Sequence, residues 1–464
     1  MFASLCAAHS GDADLPARAN KLILLRRVLD GTLYDVLPYS FHDERTAGGD
    51  YIPLRLRRPS VRYSLPRIVV EDSVALLFSD GHFPTLESPD HEVRAVLGAF
   101  AKETRLMQVM TEAAISGSVG TTAILLRILK GRPFLEVLDP SFLAPEWDPA
   151  APDTLVRVTQ RYKVPGRDLA AMGYELAEPS RVYWFQRVWD QQAETWFLPL
   201  AVGSGGPVMP DPSRTVRHGL GFVPIAWIRN LPGGEGPDGA CTFRAAIETG
   251  IEIDYQLSQA GRGLRYSADP TLLIKEPAGI EGDIVRGAGN ALLLSEKGDA
   301  RLLEIGGTAS SAVLDYVRLL RELALESVHG NRADASRLAA AASGRALELM
   351  SQGLVWLADN LRVAYGEGGI LPLARMVLQA AATHRVVLGG AVVPALDPHA
   401  PVSLAWPRFY PQTSEDRARD AQTLTALAKA GHLSRHTVLR SLASTYDIED
   451  LAAEQAQINA EQDQ

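Results

Sequence analysis

The chain has 464 residues, 46% hydrophobic and 22% charged, an ordinary globular balance long enough for roughly three domains. A net charge of −9 excludes a protein that wraps nucleic acid over a generally basic surface, so any DNA contact must be local. Two cysteines, Cys6 and Cys241, exclude a disulfide framework and a multi-cysteine zinc site, which fits folding in a reducing cytoplasm. The opening Met1–His9 has no positive region and too short an apolar run for a signal peptide, and no stretch approaches the length of a membrane span.

The fold class expected is α+β. A short amphipathic helix is predicted over Asn20–Leu33, followed by irregular Pro- and Arg-rich chain to Pro66. Asp90 is an N-cap for a stronger helix, with Val93, Leu97, Phe100, Met107, Met110 and Ala114 on one face. Strands follow at Ala123–Leu129 and Phe134–Leu138 around a Lys130-Gly-Arg-Pro turn, with Asp139-Pro140 as a stop. Leu155–Tyr162 alternates as a half-buried strand. Arg181–Trp189 and Thr195–Leu200 form a pair across the turn Asp190–Glu194, Ser204–Pro212 is an exposed loop, and Gly221–Asn230 holds one more strand. The Pro/Gly-rich break Leu231–Gly239 is the best domain boundary.

Thr242–Arg265 reads as a helix with Glu248, Glu252 and Asp254 early and Arg262 and Arg265 at its end, the polarity a helix dipole favours. Asp269-Pro270 stops it. A compact β module runs to about Gly307, with Ala291–Ser295 paired to Ala300–Ile305 across Glu296–Asp299, and helix returns at Ser311–Ser327 so that two helical arms lie antiparallel. Val328–Arg345 is a small-residue loop with three arginines, Arg332, Arg337 and Arg345, against one aspartate. Leu347, Met350, Leu354, Leu357, Leu361 and Ala364 then form a narrow helical seam, either intrachain core or an intersubunit surface. Gly366, Gly368, Gly369 and Pro372 are expected to break or kink that helix before Ala374–Thr383, Val402–Phe409 is a last strand, and the acidic tail from Ser414 is helical.

Catalytic constellations are absent from the sequence. Ser116–Thr122 has the glycines of a phosphate loop without its lysine and reads as a turn; there is no H-E-x-x-H or G-x-S-x-G, and the ten histidines are scattered. His42-Asp-Glu44 and the acid pair Glu71-Asp72 read as solvated surface groups, so no metal site, no cofactor and no enzymatic activity are expected. Leu424–Leu442 has the shape of a helix-turn-helix, with a glycine at the turn, Ser434 as cap, and Arg435, His436 and Arg440 on the second helix. It supplies the alternative reading, a DNA-binding regulator, against which the acidic tail argues.

Several of these segments, in one order, resemble the portal proteins of tailed bacteriophages, of the siphophage type. Leu135–Pro140 continuing to Pro145–Asp148 is similar to wing strands, and Gly221–Asn230 to the strand before the stem. The helix, small β module, helix order resembles stem and clip. Ser343-Gly-Arg-Ala-Leu-Glu348 resembles the start of the long helix after the tunnel loop, and Ala430–Thr437 with Asp447 and Glu454 resembles the portal ending. The likeness covers roughly Asp90 to Glu454 and is least over the first ninety residues.

The resemblance implies a wing part over 1–240, stem helices at 241–266 and 309–327, a clip over 267–308 and a tunnel loop over 328–343. A long kinked helix with wing return over 344–411 and a short crown over 412–464 complete it. Twelve copies would form a homo-oligomeric ring at the virion's capsid portal vertex, assembled in the host cytoplasm. A separate terminase motor drives double-stranded DNA through such a ring, which also meets the major capsid or scaffold protein and a head-tail adaptor; no membrane is involved. Asn331, Arg332, Ser336 and Arg337 are the expected DNA contacts of the loop. Arg262, Arg265 and Arg345 are lumen contacts, or else helix-end charges and, for Arg345, a structural partner of Glu348 or Glu326.

Overall fold

The computed structural model describes residues 11–36, 48–53, 57–268, 271–275, 299–303, 307–329, 351–410, 414–443, 448 and 451–462. It is a mixed helix and sheet protein. Contacts divide the chain into two compact units, one of Met1–Asn331 with Trp356–Pro407, the other of Arg332–Val355 with Arg408–Gln464.

In the first unit, α1 (Ala17–Leu29) starts where Pro16 fixes the backbone ahead of the first turn, and buries Leu22, Leu25 and Leu29. It is three residues earlier than expected and ends before Gly31, whose φ of 67° leads into a 3₁₀ turn at Leu33–Val36. α2 (Leu65–Phe78) was not expected, although Leu65, Val69, Val70, Val74 and Leu77 give it a plain helical stripe, all buried. After β1 (Thr85–Glu87) the single helix expected from Asp90 is two, α3 (His91–Glu103) and α4 (Leu106–Gly117). Asp90 does cap the first, accepting from the amide of Glu92 at 2.8 Å. Arg105 at φ 52° then reverses the chain, resetting the phase, so Met110 and Ala114 are buried while Met107 is 40% exposed.

The strands β2 (Thr121–Leu129), β3 (Arg132–Leu138), β4 (Leu143–Asp148) and β5 (Ala151–Pro165) follow in a meander. Beyond the short helix α5 (Gly166–Ala171) come β6 (Val182–Trp189), β7 (Ala193–Trp196), β8 (Leu200–Ala201), β9 (Val216–Arg217) and β10 (Ile225–Arg229). The strand expected over Thr195–Leu200 is split between β7 and β8, with Pro199 between them. They build a three-stranded sheet ordered β10-β2-β3 and a six-stranded sheet ordered β4-β5-β6-β7-β9, with β8 on β6. Ala123, Leu125 and Ile225 of the first sheet pack on Leu143, Val158 and Trp189 of the second. β2 is buried along Thr121–Leu126 because its other face meets α4, which is why it reads as a continuous apolar run.

The break Leu231–Gly239, expected as a domain boundary, lies inside this unit and is fastened to it. Gly120 O accepts from the amides of Asn230 and Gly239, both at 2.9 Å, and Arg18 forms a bidentate pair with Asp238 at 2.7 Å. Gly120 sits at φ 146° with the Gly239 carbonyl 2.9 Å from where a Cβ would be, so a side chain is excluded there.

α6 (Ile247–Ala268), β11 (Thr271–Lys275), β12 (Asp299–Leu303) and α7 (Gly307–Ser327) follow. β11 pairs antiparallel with β12, from Thr271↔Leu303 to Lys275↔Asp299. The partner expected for the second strand, Ala291–Ser295, lies outside the described residues.

Of the expected break or kink, the break is absent: α8 (Gln352–Arg362), a π-helical segment Val363–Ile370 and α9 (Leu371–Thr383) run on as one helix, the π-helical segment interrupting the α-helical ladder at the glycines. The glycines serve close packing instead. A Cβ on Gly366 would lie 2.8 Å from Trp406 Cζ2, and one on Gly369 would lie 2.7 Å from Ile228 Cδ1 and 3.1 Å from Met110 Cε. Pro372 is the second residue of α9, immediately after the π-helical segment. Leu354, Leu357 and Leu361 of the expected seam are buried; Leu347 and Met350 lie outside the described residues. The unit ends with β13 (Val387–Leu388), β14 (Ala391–Val392) and β15 (Ser403–Ala405), the last paired with β1 and shorter than the strand expected over Val402–Phe409.

The second unit holds α10 (Ser414–Lys429), α11 (Arg435–Ala443) and α12 (Leu451–Gln462). The expected hairpin turn is present. Gly431 at φ 74° closes α10, with the His432 amide donating to Leu427 O at 3.0 Å, and Ser434 Oγ caps α11 by accepting from the Thr437 amide at 3.1 Å.

Candidate interface on the paired helices

α6 and α7 pack as an antiparallel pair, with the antiparallel strands β11 and β12 following the one and preceding the other. Ala246 and Ile253 meet Ala324, Leu325 and Val328, with Leu65 and Val69 of α2 closing the core. At about 1.5 Å per residue the 22 residues of α6 span about 33 Å.

A second face of α6 is strapped by residues 57–63. Tyr255 Oη donates to Arg57 O at 3.0 Å, Ser258 Oγ accepts from the amides of Ser60 and Val61 at 2.8 and 3.0 Å, and Asp254 Oδ1 accepts from the Tyr63 amide at 2.7 Å. Asp254 Oδ2 also accepts from Tyr34 Oη at 2.8 Å. Burial pushes the Asp254 carboxyl up to about 6, partly offset by these bonds and by Arg62, and pushes the Tyr34 hydroxyl up as well.

α7 is apolar on two faces. Val317, Leu320, Ala324 and Leu325 turn inward, whereas Ala312, Tyr316, Leu319 and Leu323, at spacings of four, three and four, turn outward. Tyr316 is 44% exposed, and Leu319 and Leu323 are each 51% exposed. Asp315, Arg318, Glu322 and Glu326 flank this stripe, with Arg318 and Asp315 paired at 2.9 Å. Sequence reasoning missed it, although the heptad spacing was there to be counted beside the inward one. At the end of α7, His329 at φ 56° lies edge-on to the half-exposed Trp356 of α8, with centroids 4.7 Å apart.

Of the residues expected to touch DNA, Arg262 lies partly buried on the last third of α6. Arg265 is in the same helix, one turn before its end. Asn331, Arg332, Ser336, Arg337 and Arg345 lie outside the described residues, as do His42–Glu44 and the Ser343–Glu348 motif.

The buried charges elsewhere are committed to the fold. Arg187, between the two sheets, donates to Gln160 Oε1 at 2.7 and 2.9 Å and lies 3.4 Å from Glu194, which also takes Arg127 at 2.7 Å. Cys241 is a buried thiol pushed up to about 12, unsuited to nucleophilic work. Among the described residues no group of three or more His, Cys, Asp or Glu is placed to hold a metal ion, and no helix is long and apolar enough to cross a membrane. No protein-family model matches the chain, and no curated protein matches it significantly.

Proposed function

We propose that this chain is the subunit of a portal ring, the conduit at one capsid vertex through which double-stranded DNA is packaged and later ejected. The observation that carries the reading is α7, a helix apolar on two faces in an antiparallel pair with two paired strands, β11 and β12, between its members in the chain. One face is consumed within the subunit. The other, a heptad-spaced stripe of half-exposed Tyr and Leu, is what a helix packed against a neighbouring subunit requires.

The order of elements supports the same reading: two β layers, two paired helices with a pair of strands between them, the segment 330–350 and then one long helix. The charge balance is compatible with it. Each phosphate neutralised by a basic group adds affinity through counterion release, so a conduit lined throughout with cations would hold its cargo. A chain of net charge −9 with arginines gathered in one loop avoids that. Terminase, the capsid or scaffold protein and a head-tail adaptor are the partners this role requires, and the subunit needs no catalysis of its own.

The helical hairpin of the second unit is read as structural. From Ser414 onward nine acids face five bases, which gives α11 no basic footprint for a DNA duplex. Native mass spectrometry with negative-stain microscopy of the purified protein tests the proposal. Closed rings, twelve subunits in the main species, are expected; a strict monomer at all concentrations sinks it.

A further inference from the structure

A pocket of about 420 Å³ lies between the first turn of α1 and the outer face of the six-stranded sheet. Its volume is within the range of small-molecule sites, roughly 300–1,000 Å³, and like them it has mostly apolar walls and few polar groups. Leu15, Pro16, Phe142, Leu143, Pro145 and Pro237 form the walls.

The charged groups around it differ in what remains available. Arg18 is spent, holding Asp238 and the carbonyls of Pro140 and Leu143 at 2.7–3.1 Å. Asp14 and Asp12 share a single ammonium, Lys163, at 2.6 and 2.7 Å, so this cluster keeps one negative charge and offers no cation to a ligand. Arg161 is different. Its guanidinium lies 4.4 Å over the Trp184 ring and has no carboxylate partner among the described residues. Stacking on the indole holds the fork in place, so little side-chain entropy is lost when its donors are engaged.

We propose that this pocket binds a small aromatic carboxylate. Arg161 would take the carboxylate in its planar fork while the ring system lies among the prolines, Phe142 and Trp184. One free cation matches a monoanion. A phosphate dianion would bring a second charge with nothing to meet it and Asp14 at the wall. The inference is independent of the proposed ring, since every residue belongs to the wall of one subunit's first unit.

The test uses 2-naphthoate and its uncharged analogue 2-naphthamide, titrated calorimetrically into the full-length protein and into Arg161→Ala. Arg161 is exposed and carries no ion pair, so the variant is expected to fold, which far-UV circular dichroism checks. Naphthoate should bind the wild type saturably with Kd below about 1 mM, and Arg161→Ala should weaken it ~10-fold, or about 1.4 kcal/mol. Naphthamide should bind both proteins alike. Rising salt should weaken naphthoate and leave naphthamide unchanged. Absence of saturable naphthoate binding to the wild type overturns the proposal. So does a loss in Arg161→Ala that is nil, or equal for the two probes, because the guanidinium would then not be reading charge.

Discussion

At the scale of single residues, the buried polar groups of this protein hold segments that carry little secondary structure. Asp254 is the clearest case. One carboxylate takes the Tyr63 amide and the Tyr34 hydroxyl, and so joins α6 to the strap and to the 3₁₀ turn. Its folded carboxyl is raised from 3.8 to about 6, so the folded state binds the proton more tightly than the unfolded chain does. The stabilisation this provides is therefore complete below about pH 4 and lost as pH rises through 6, a change of about 3 kcal/mol at ~1.4 kcal/mol per unit. Asp12, Asp35 and Glu103 act oppositely: hydrogen bonds hold them below the usual carboxylate range, and their contribution fades on acidification. Comparison with Asp254→Asn separates the two. Urea midpoints from pH 4 to 7 should fall more steeply in the wild type than in the variant; parallel curves would mean Asp254 does not carry the dependence.

At the scale of elements, α7 decides whether the monomer is a finished molecule. Leu319 and Leu323 are half-exposed, so replacing both with glutamate removes little intrachain packing and should lower the unfolding midpoint only slightly. If the stripe is the subunit contact, the same change places two charges in an apolar seam on every copy. Leu319→Glu with Leu323→Glu should shift size-exclusion light scattering from ring to monomer. Rings that survive the double change would place the contact elsewhere. The long helix makes a related point. Gly366 and Gly369, which in sequence look like breaks, are where Trp406 and Ile228 come within van der Waals range of the helix backbone, and the π-helical turn carries the chain through.

At the scale of the whole molecule, the proposal requires a ring that guides DNA without gripping it. Arg332→Ala with Arg337→Ala should leave rings intact by negative-stain microscopy while lowering DNA packaging or retention in assembled heads; normally filled heads would remove the loop from any DNA role. The sequence by itself determined the local parts. Asp90 had to cap a helix, Ala123–Leu129 had to be a strand, and Ser434 with Gly431 had to make a hairpin, because capping, strand propensity and φ are settled within a few residues. Tertiary structure alone decided which groups meet across long separations. It chose β11 as the partner of β12, turned a Pro/Gly break into a clasp on Gly120, and broke one expected helix at Arg105. It also set Arg161 over Trp184 beside an apolar pocket and left one stripe of α7 uncovered. Spacing along a chain fixes which side chains share a face; what that face meets depends on closing loops of many residues, and no local pattern encodes the outcome.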